Sequence, residues 1–179
     1  MVKIVGISGS LRPDSYSALA LKQAAQRIEA LGAEMNLLDI RQLNLPFCNG
    51  GEDYPDYPDV TRLRQAFEEA DGIILATPEY HGSVSGVLKN VLDLMSFEHL
   101  AGKVTGVISV LGGQANSNAL NDVRVIMRWV HAWVIPEQIA IGQAWQVFSP
   151  EGKLLDEKLA QRFDQFAQSL VEHSEKLKA

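Results

Sequence analysis

A chain of 179 residues, 46% apolar and 21% charged, has room for one substantial core, and a single domain over residues 1–179 is expected. A net charge of −6 without any Lys/Arg run argues against nucleic acid as a partner. No apolar stretch approaches the roughly 20 residues of a membrane span; with one cysteine, Cys48, and a first apolar run too short for a secretory signal, a cytoplasmic protein that meets no membrane is expected.

The run Val2–Ile7 reads as a buried strand. After it come Ser8, Gly9, Ser10, Leu11, Arg12, Pro13, Asp14, Ser15, Tyr16 and Ser17, and then Leu19, Leu21, Ala24, Ala25, Ile28 and Leu31 at helical spacing. The segment is a strand-to-helix turn. The free N–H groups and dipole of a helix start favour an anion, glycine admits it closely, hydroxyls donate to it and Arg12 offers a planar fork. One serine such as Ser15 would suffice as a helix cap, so the other hydroxyls and the arginine point to a phosphate. The P-loop pattern G-x-x-x-x-G-K-[ST] is absent, and Ser8 replaces the second glycine of G-x-G-x-x-G. A monophosphate ester, such as a mononucleotide, fits better than a triphosphate or a dinucleotide. For the same reason Asp39, at the end of a second strand over 34–39, is not read as a ribose-binding acid.

Arg41 to Pro58 is a long loop carrying Phe47, Tyr54 and Tyr57, which shield a ligand, meet a second subunit or simply pack. Val60 to Ala70 is a helix, and Ile73–Thr77 is an apolar strand of the kind buried on both faces. Pro78, Glu79, Tyr80, His81, Gly82 and Ser83 form a second strand-to-helix turn. The helix from Val84 to about Phe97 is apolar over most of its circumference, which suggests a subunit interface. A strand over 103–110 opens into a third turn with Gly112, Gly113, Gln114 and Asn116. A helix from about Asn118 to His131 follows, then a fifth strand region over 133–141, a turn at 149–152, and an amphipathic helix from Asp156 to about Lys176.

This alternation predicts an α/β fold: a doubly wound, five-stranded parallel sheet of order 2-1-3-4-5. The three special turns then meet at the carboxyl ends of strands one, three and four, around the topological switch point. Together they offer an anion seat, an aromatic face at Tyr80 and peptide donors at Gly112 and Gly113, the set a flavin mononucleotide needs. His99, His131 and His173 lack metal-ligand spacing, and no metal is expected.

The segments Gly9-Ser10-Leu11-Arg12 with Ser15, and Pro78-Glu79-Tyr80-His81-Gly82-Ser83-Val84-Ser85-Gly86-Val87-Leu88-Lys89-Asn90, closely resemble the NADPH-dependent FMN reductase family of flavodoxin-like quinone, chromate and azo-dye reductases. The resemblance implies non-covalent FMN, NADPH or NADH as reductant, and hydride transfer through the flavin to quinone-like or other small acceptors in ping-pong order. It also implies a homodimer or homotetramer. At matching positions Ser10, Arg12, Ser15 and Ser17, with the neighbouring Tyr16, would hold the phosphate end. Pro78, Glu79, Tyr80, His81 and Gly82 would line the ring and ribityl chain, and Ser109, Gly112 and Gly113 would lie near the far edge. The flavin carries the chemistry, so no catalytic side chain is required, and His81 is assigned a positioning role. Many members carry asparagine where this chain has Ser17 and His81, and further glycines at 114–116. Two alternatives share the fold: a flavodoxin-type electron carrier, and an FMN-binding regulatory module without nicotinamide turnover.

Overall fold

Runs of β-branched and aliphatic residues that alternate between two buried faces build the sheet. The structure, a computed structural model, describes residues 1–114 and 117–178. β1 (Lys3–Ser8), β2 (Glu34–Leu38), β3 (Gly72–Tyr80), β4 (Ser83–Val84), β5 (Val104–Val110) and β6 (Trp133–Ile141) follow in chain order. All but β4 are parallel and lie in the spatial order β2-β1-β3-β5-β6. That is the expected flavodoxin-like path once the short β4 is counted. β4 turns back antiparallel on β3, pairing Glu79 with Val84 and Tyr80 with Ser83. The second special turn is therefore a tight hairpin followed by a helix. Its two tip residues, His81 (φ 52°) and Gly82 (φ 76°), both have positive φ, as a type I′ turn requires. Histidine is among the non-glycine residues that enter this region more readily than most.

The helices are α1 (Tyr16–Ala30), α2 (Pro58–Glu68), α3 (Gly86–Asp93), α4 (Phe97–Leu100), α5 (Asn118–Trp129), α6 (Ala144–Val147) and α7 (Glu157–Leu177). None is long and apolar enough to cross a membrane among the described residues. On one face of the sheet, Leu21 and Ile28 of α1 and Phe163, Phe166 and Leu170 of α7 pack against Ile4, Ile74 and Ile108. On the other, Leu63 and Phe67 of α2, Leu88 and Val91 of α3, and Val123 and Met127 of α5 cover Val5, Ile73, Leu75 and Val107. Adjacent strand residues face opposite layers, the arrangement a doubly wound sheet demands.

The apolar circumference of α3 has an explanation within the chain. Its inner side meets the sheet, and the loop over 43–48 lies against its outer side. Leu43 and Leu45 join the same cluster, Asn90 Nδ2 donates to the Pro46 carbonyl at 2.8 Å, and the Cys48 N–H donates to Asn90 Oδ1 at 2.9 Å. The breadth of the stripe reflects this two-sided burial. The loop is pinned again by Arg64, which stands over the Tyr54 ring at 5.6 Å and donates to the Glu52 carbonyl. Phe47 is left 88% exposed.

β6 is an open edge. Pro136 interrupts it, and Arg124 and Arg162 donate to the carbonyls of Ile135, Pro136 and Gln138, which blocks further strand pairing. Asp71 joins both ends of the chain, accepting from the Lys3 N–H at 2.8 Å and from Lys178 Nζ at 3.0 Å. Burial opposes its charge, but the Lys3 amide and the Lys178 ammonium outweigh it and hold the carboxyl below its usual value. A depressed carboxyl stabilises the fold above its unfolded value of about 3.9, and that contribution fades as pH falls through the lower folded value. The gap in urea midpoint between wild type and Asp71→Asn is expected to shrink between pH 7 and pH 3. A gap that stays constant would contradict the assignment.

Candidate cofactor site

Every parallel strand ends at the same edge, and the segments that follow β1, β3, β5 and β6 enclose a cleft of about 240 Å³. Its lining includes Ser10, Arg12, Asp14, Ser15, Tyr16, Ser17, Pro78, Glu79, Tyr80, Val110, Leu111, Gly112, Ala144 and Trp145. A larger hollow beside Cys48, Arg64 and His99 lies past the carboxyl end of α3, at the opposite edge of the sheet.

The first wall is the start of α1, whose first turn holds no acidic residue, although Asp14 just before its cap also lines the cleft; the helix dipole and free N–H groups favour an anion there. Ser15 caps this helix, accepting from the Ala18 N–H at 3.2 Å, and its own O–H remains a donor. Ser10 Oγ accepts weakly from the Arg12 N–H at 3.4 Å. Among the described residues the Arg12 guanidinium has no hydrogen-bond partner or ion pair. Arg41 steadies the flank of this turn: it pairs with Asp39 at 2.7 Å and reaches the Pro13 carbonyl at 3.2 Å. The hydrogen bond from Arg41 holds the Asp39 carboxyl below its usual value. Tyr16 is braced from behind by Phe148, with ring centroids 5.9 Å apart and nearly parallel.

The first turn is locked to the hairpin. Ser85 Oγ donates to the Gly9 carbonyl at 2.6 Å while accepting from the Leu88 N–H at 3.1 Å as the cap of α3. Gly9 must be glycine, since a Cβ there would stand 2.6 Å from both Leu88 Cβ and Ser85 Oγ.

Of the residues expected at the site, Ser10, Arg12, Ser15, Tyr16, Ser17, Pro78, Glu79, Tyr80 and Gly112 are brought together on the cleft. His81 and Gly82 form the hairpin tip and are not among its lining. Ser109 is buried within β5, in register with Thr77 and Ala140. Gly113 uses its carbonyl to accept from the Gln143 N–H at 2.7 Å, which ties the third turn to the segment after β6. Gln114 is not among the lining, and Asn116 lies outside the described residues. Sequence patterns miss Trp145. It follows Gln143, whose φ of 47° redirects the chain after β6, and it is 61% exposed at the cleft. The signal was available: β6 is parallel to its neighbours, so the residues after it must arrive at the same edge.

The chemistry of these residues fits FMN: hydroxyls, a guanidinium and a helix start suit a phosphate, Tyr80 and Trp145 offer flat apolar surfaces, and Gly112 shares the same cleft. Glu79 Oε1 is buried there and, among the described residues, has no hydrogen-bond partner, as expected where a ligand would complete the site.

Residues 2–146 match the family profile of NADPH-dependent FMN reductase. The chain belongs to this family. It is thus an FMN-dependent NAD(P)H oxidoreductase. It is 32% identical over 175 residues to the NADPH-dependent FMN reductase ArsH of Shigella flexneri, covering 95% of this chain and 68% of that protein. It is 34% identical to the NAD(P)H-dependent FMN reductase PA1204 of Pseudomonas aeruginosa, covering 94% and 93%. Among solved structures it resembles FerB, a flavoenzyme NAD(P)H:(acceptor) oxidoreductase of Paracoccus denitrificans, with a TM-score of 0.80, 27% identity and 98% of each chain covered.

Proposed function

We propose that residues 1–179 act as one FMN-binding domain that passes reducing equivalents from NAD(P)H to quinone-like or other small acceptors, in the cytoplasm, as a homodimer or homotetramer. One observation carries the reading: a helix start with serine hydroxyls and Arg12, and two exposed aromatic rings, share a single cleft at the carboxyl ends of the parallel strands. When bound, FMN supplies the chemistry, accepting hydride from the nicotinamide and giving electrons to the acceptor. The protein binds and orients. The start of α1, with Ser10, Arg12, Ser15 and Ser17, holds the phosphate. Pro78 and Tyr80 flank the ring, and the Gly112 and Gly113 segment borders its far edge, where N–H donors would offset charge gained on reduction. Tyr80 is 49% exposed and Trp145 61% exposed, which leaves an open side where the nicotinamide and then the acceptor could stack.

Support for an oligomer comes from Val125 and Trp129 on α5 and from Trp133 at the start of β6, all more than half exposed. Steady-state rates with NADPH against a benzoquinone should give parallel double-reciprocal lines, since one open side serves both substrates in turn. Intersecting lines would require both to bind together and would contradict this reading. Light scattering on the purified protein should give at least twice the 19.7 kDa chain mass. A monomer would remove the oligomer from the proposal.

A further inference from the structure

The chain has three tryptophans, all exposed, and they differ in what holds them. Trp129 and Trp133 flank the turn between α5 and β6, at the edge where the strands begin. Trp145 stands at the opposite edge, on α6, and lines the cleft. Its support is rigid. Ala144 before it is buried, and Phe148 after it is buried and stacked on Tyr16. The Gln143 N–H donates to the Gly113 carbonyl at 2.7 Å, and the Leu155 N–H donates to the Val147 carbonyl at 2.9 Å. Trp145 itself is 61% exposed. The arrangement carries a backbone cost as well. Gln143 adopts φ 47° and ψ 47°, a left-handed conformation that residues other than glycine enter at an energetic cost. Strain of this kind, next to a large apolar ring held open to water in a cleft, marks a place where a ligand is expected.

We propose that Trp145 is a specificity-determining residue whose ring forms an aryl subsite for the electron acceptor. Indole has the most electron-rich face among the side-chain rings. It stacks best on a ring whose own face is depleted of electrons. Two conjugated carbonyls deplete a quinone in this way. The dihydronicotinamide that brings hydride is neither aromatic nor electron-poor, so the pairing favours the acceptor over the reductant. The assignment rests on the reading above, in which one open side serves reductant and acceptor in turn. In that reading the cofactor rests on the start of α1 and on the hairpin after β3, which leaves Trp145 for the ligand that comes and goes.

The test uses Trp145→Ala, Trp145→Leu and Trp145→Phe in the FMN-loaded full chain, with two readouts. Oxidised protein is titrated by calorimetry with anthraquinone-2-sulfonate, a planar quinone to which oxidised flavin has no electrons to give. Protein reduced by dithionite is then mixed with duroquinone, or with ferricyanide, which has no aromatic face. Trp145→Ala should weaken anthraquinone-2-sulfonate by about tenfold and raise the duroquinone concentration for half-maximal rate by a similar factor. The ratio of the duroquinone to the ferricyanide rate constant should fall with it. Trp145→Leu is apolar but not flat and should resemble alanine, whereas Trp145→Phe should recover most of the loss. Wild-type quinone binding in Trp145→Ala overturns the subsite, and so does full recovery by leucine, which leaves only apolar bulk. A fall in FMN affinity as large as that in quinone affinity also overturns it, since the ring would then belong to the cofactor wall. A loss seen only in bleaching by NADPH moves the ring to the reductant and overturns the assignment to the acceptor. If the wild-type protein takes up no FMN, or is reoxidised by ferricyanide but not by duroquinone, the reading on which the subsite rests is what fails.

Discussion

Arg12→Ala is expected to weaken FMN binding by about 10- to 150-fold while leaving riboflavin binding unchanged. A hydrogen bond to a charged group contributes roughly 1.5–3 kcal/mol, and the range follows from that. The guanidinium is exposed and, among the described residues, has no partner to give up, so little opposes its use on a phosphate. For the same reason removing it should change folding stability by no more than about 0.5 kcal/mol. Arg12→Lys keeps the charge but loses the planar fork, and should fall between wild type and alanine. Fluorescence titration of apoprotein with FMN and riboflavin reads all of this. Equal losses for both flavins would mean that Arg12 acts on the ring or through the fold, and the phosphate seat would have to move.

Gly9→Ala is expected to damage both the fold and the site. The added methyl would lie 2.6 Å from Leu88 Cβ, 2.6 Å from Ser85 Oγ and 3.2 Å from the Leu88 backbone N. None of these is the free end of a flexible side chain. Leu88 belongs to α3 and is fully buried, and Ser85 Oγ is held between the Gly9 carbonyl and the Leu88 N–H. The start of α3 must move away from the first turn. Overpacking of this kind costs about 1–3 kcal/mol, and loss of the Ser85 cap adds about 1 kcal/mol. At about 2–4 °C per kcal/mol for a chain of this size, thermal denaturation should shift by several degrees. FMN affinity should fall too, because the phosphate seat and the hairpin are then out of register. A variant with wild-type melting and wild-type affinity would show that the Ser85–Gly9 tie does not organise the site.

Much of this arrangement can be read from the chain alone, because it rests on local chemistry. The buried runs of β1, β3 and β5 announce a parallel sheet, and the segment from Ser8 to Ser17 announces a strand-to-helix turn before any contact is known. What escapes is tertiary. β4 has only two residues, too few to alternate, and its His81–Gly82 tip lacks the Asn-Gly or Asp-Gly sign of a hairpin. The outer cover of α3 is a loop folded over from 43–48, so the helix pattern alone suggests a second subunit. Trp145 sits on a four-residue helix with no periodicity to read. Ser85 and Glu79 look like members of one motif, yet each reaches a part of the chain distant in sequence: Ser85 the Gly9 carbonyl, and Glu79 the start of α5.

The most direct test of the central claim is the absorbance spectrum of the FMN-loaded protein before and after one equivalent of NADPH under anaerobic conditions. The account predicts a flavin band that bleaches within the time of mixing and returns when a quinone is added. A band that persists with NADPH and with NADH alike, on a protein that holds its flavin, would contradict it and leave an FMN carrier or binding module on the same fold.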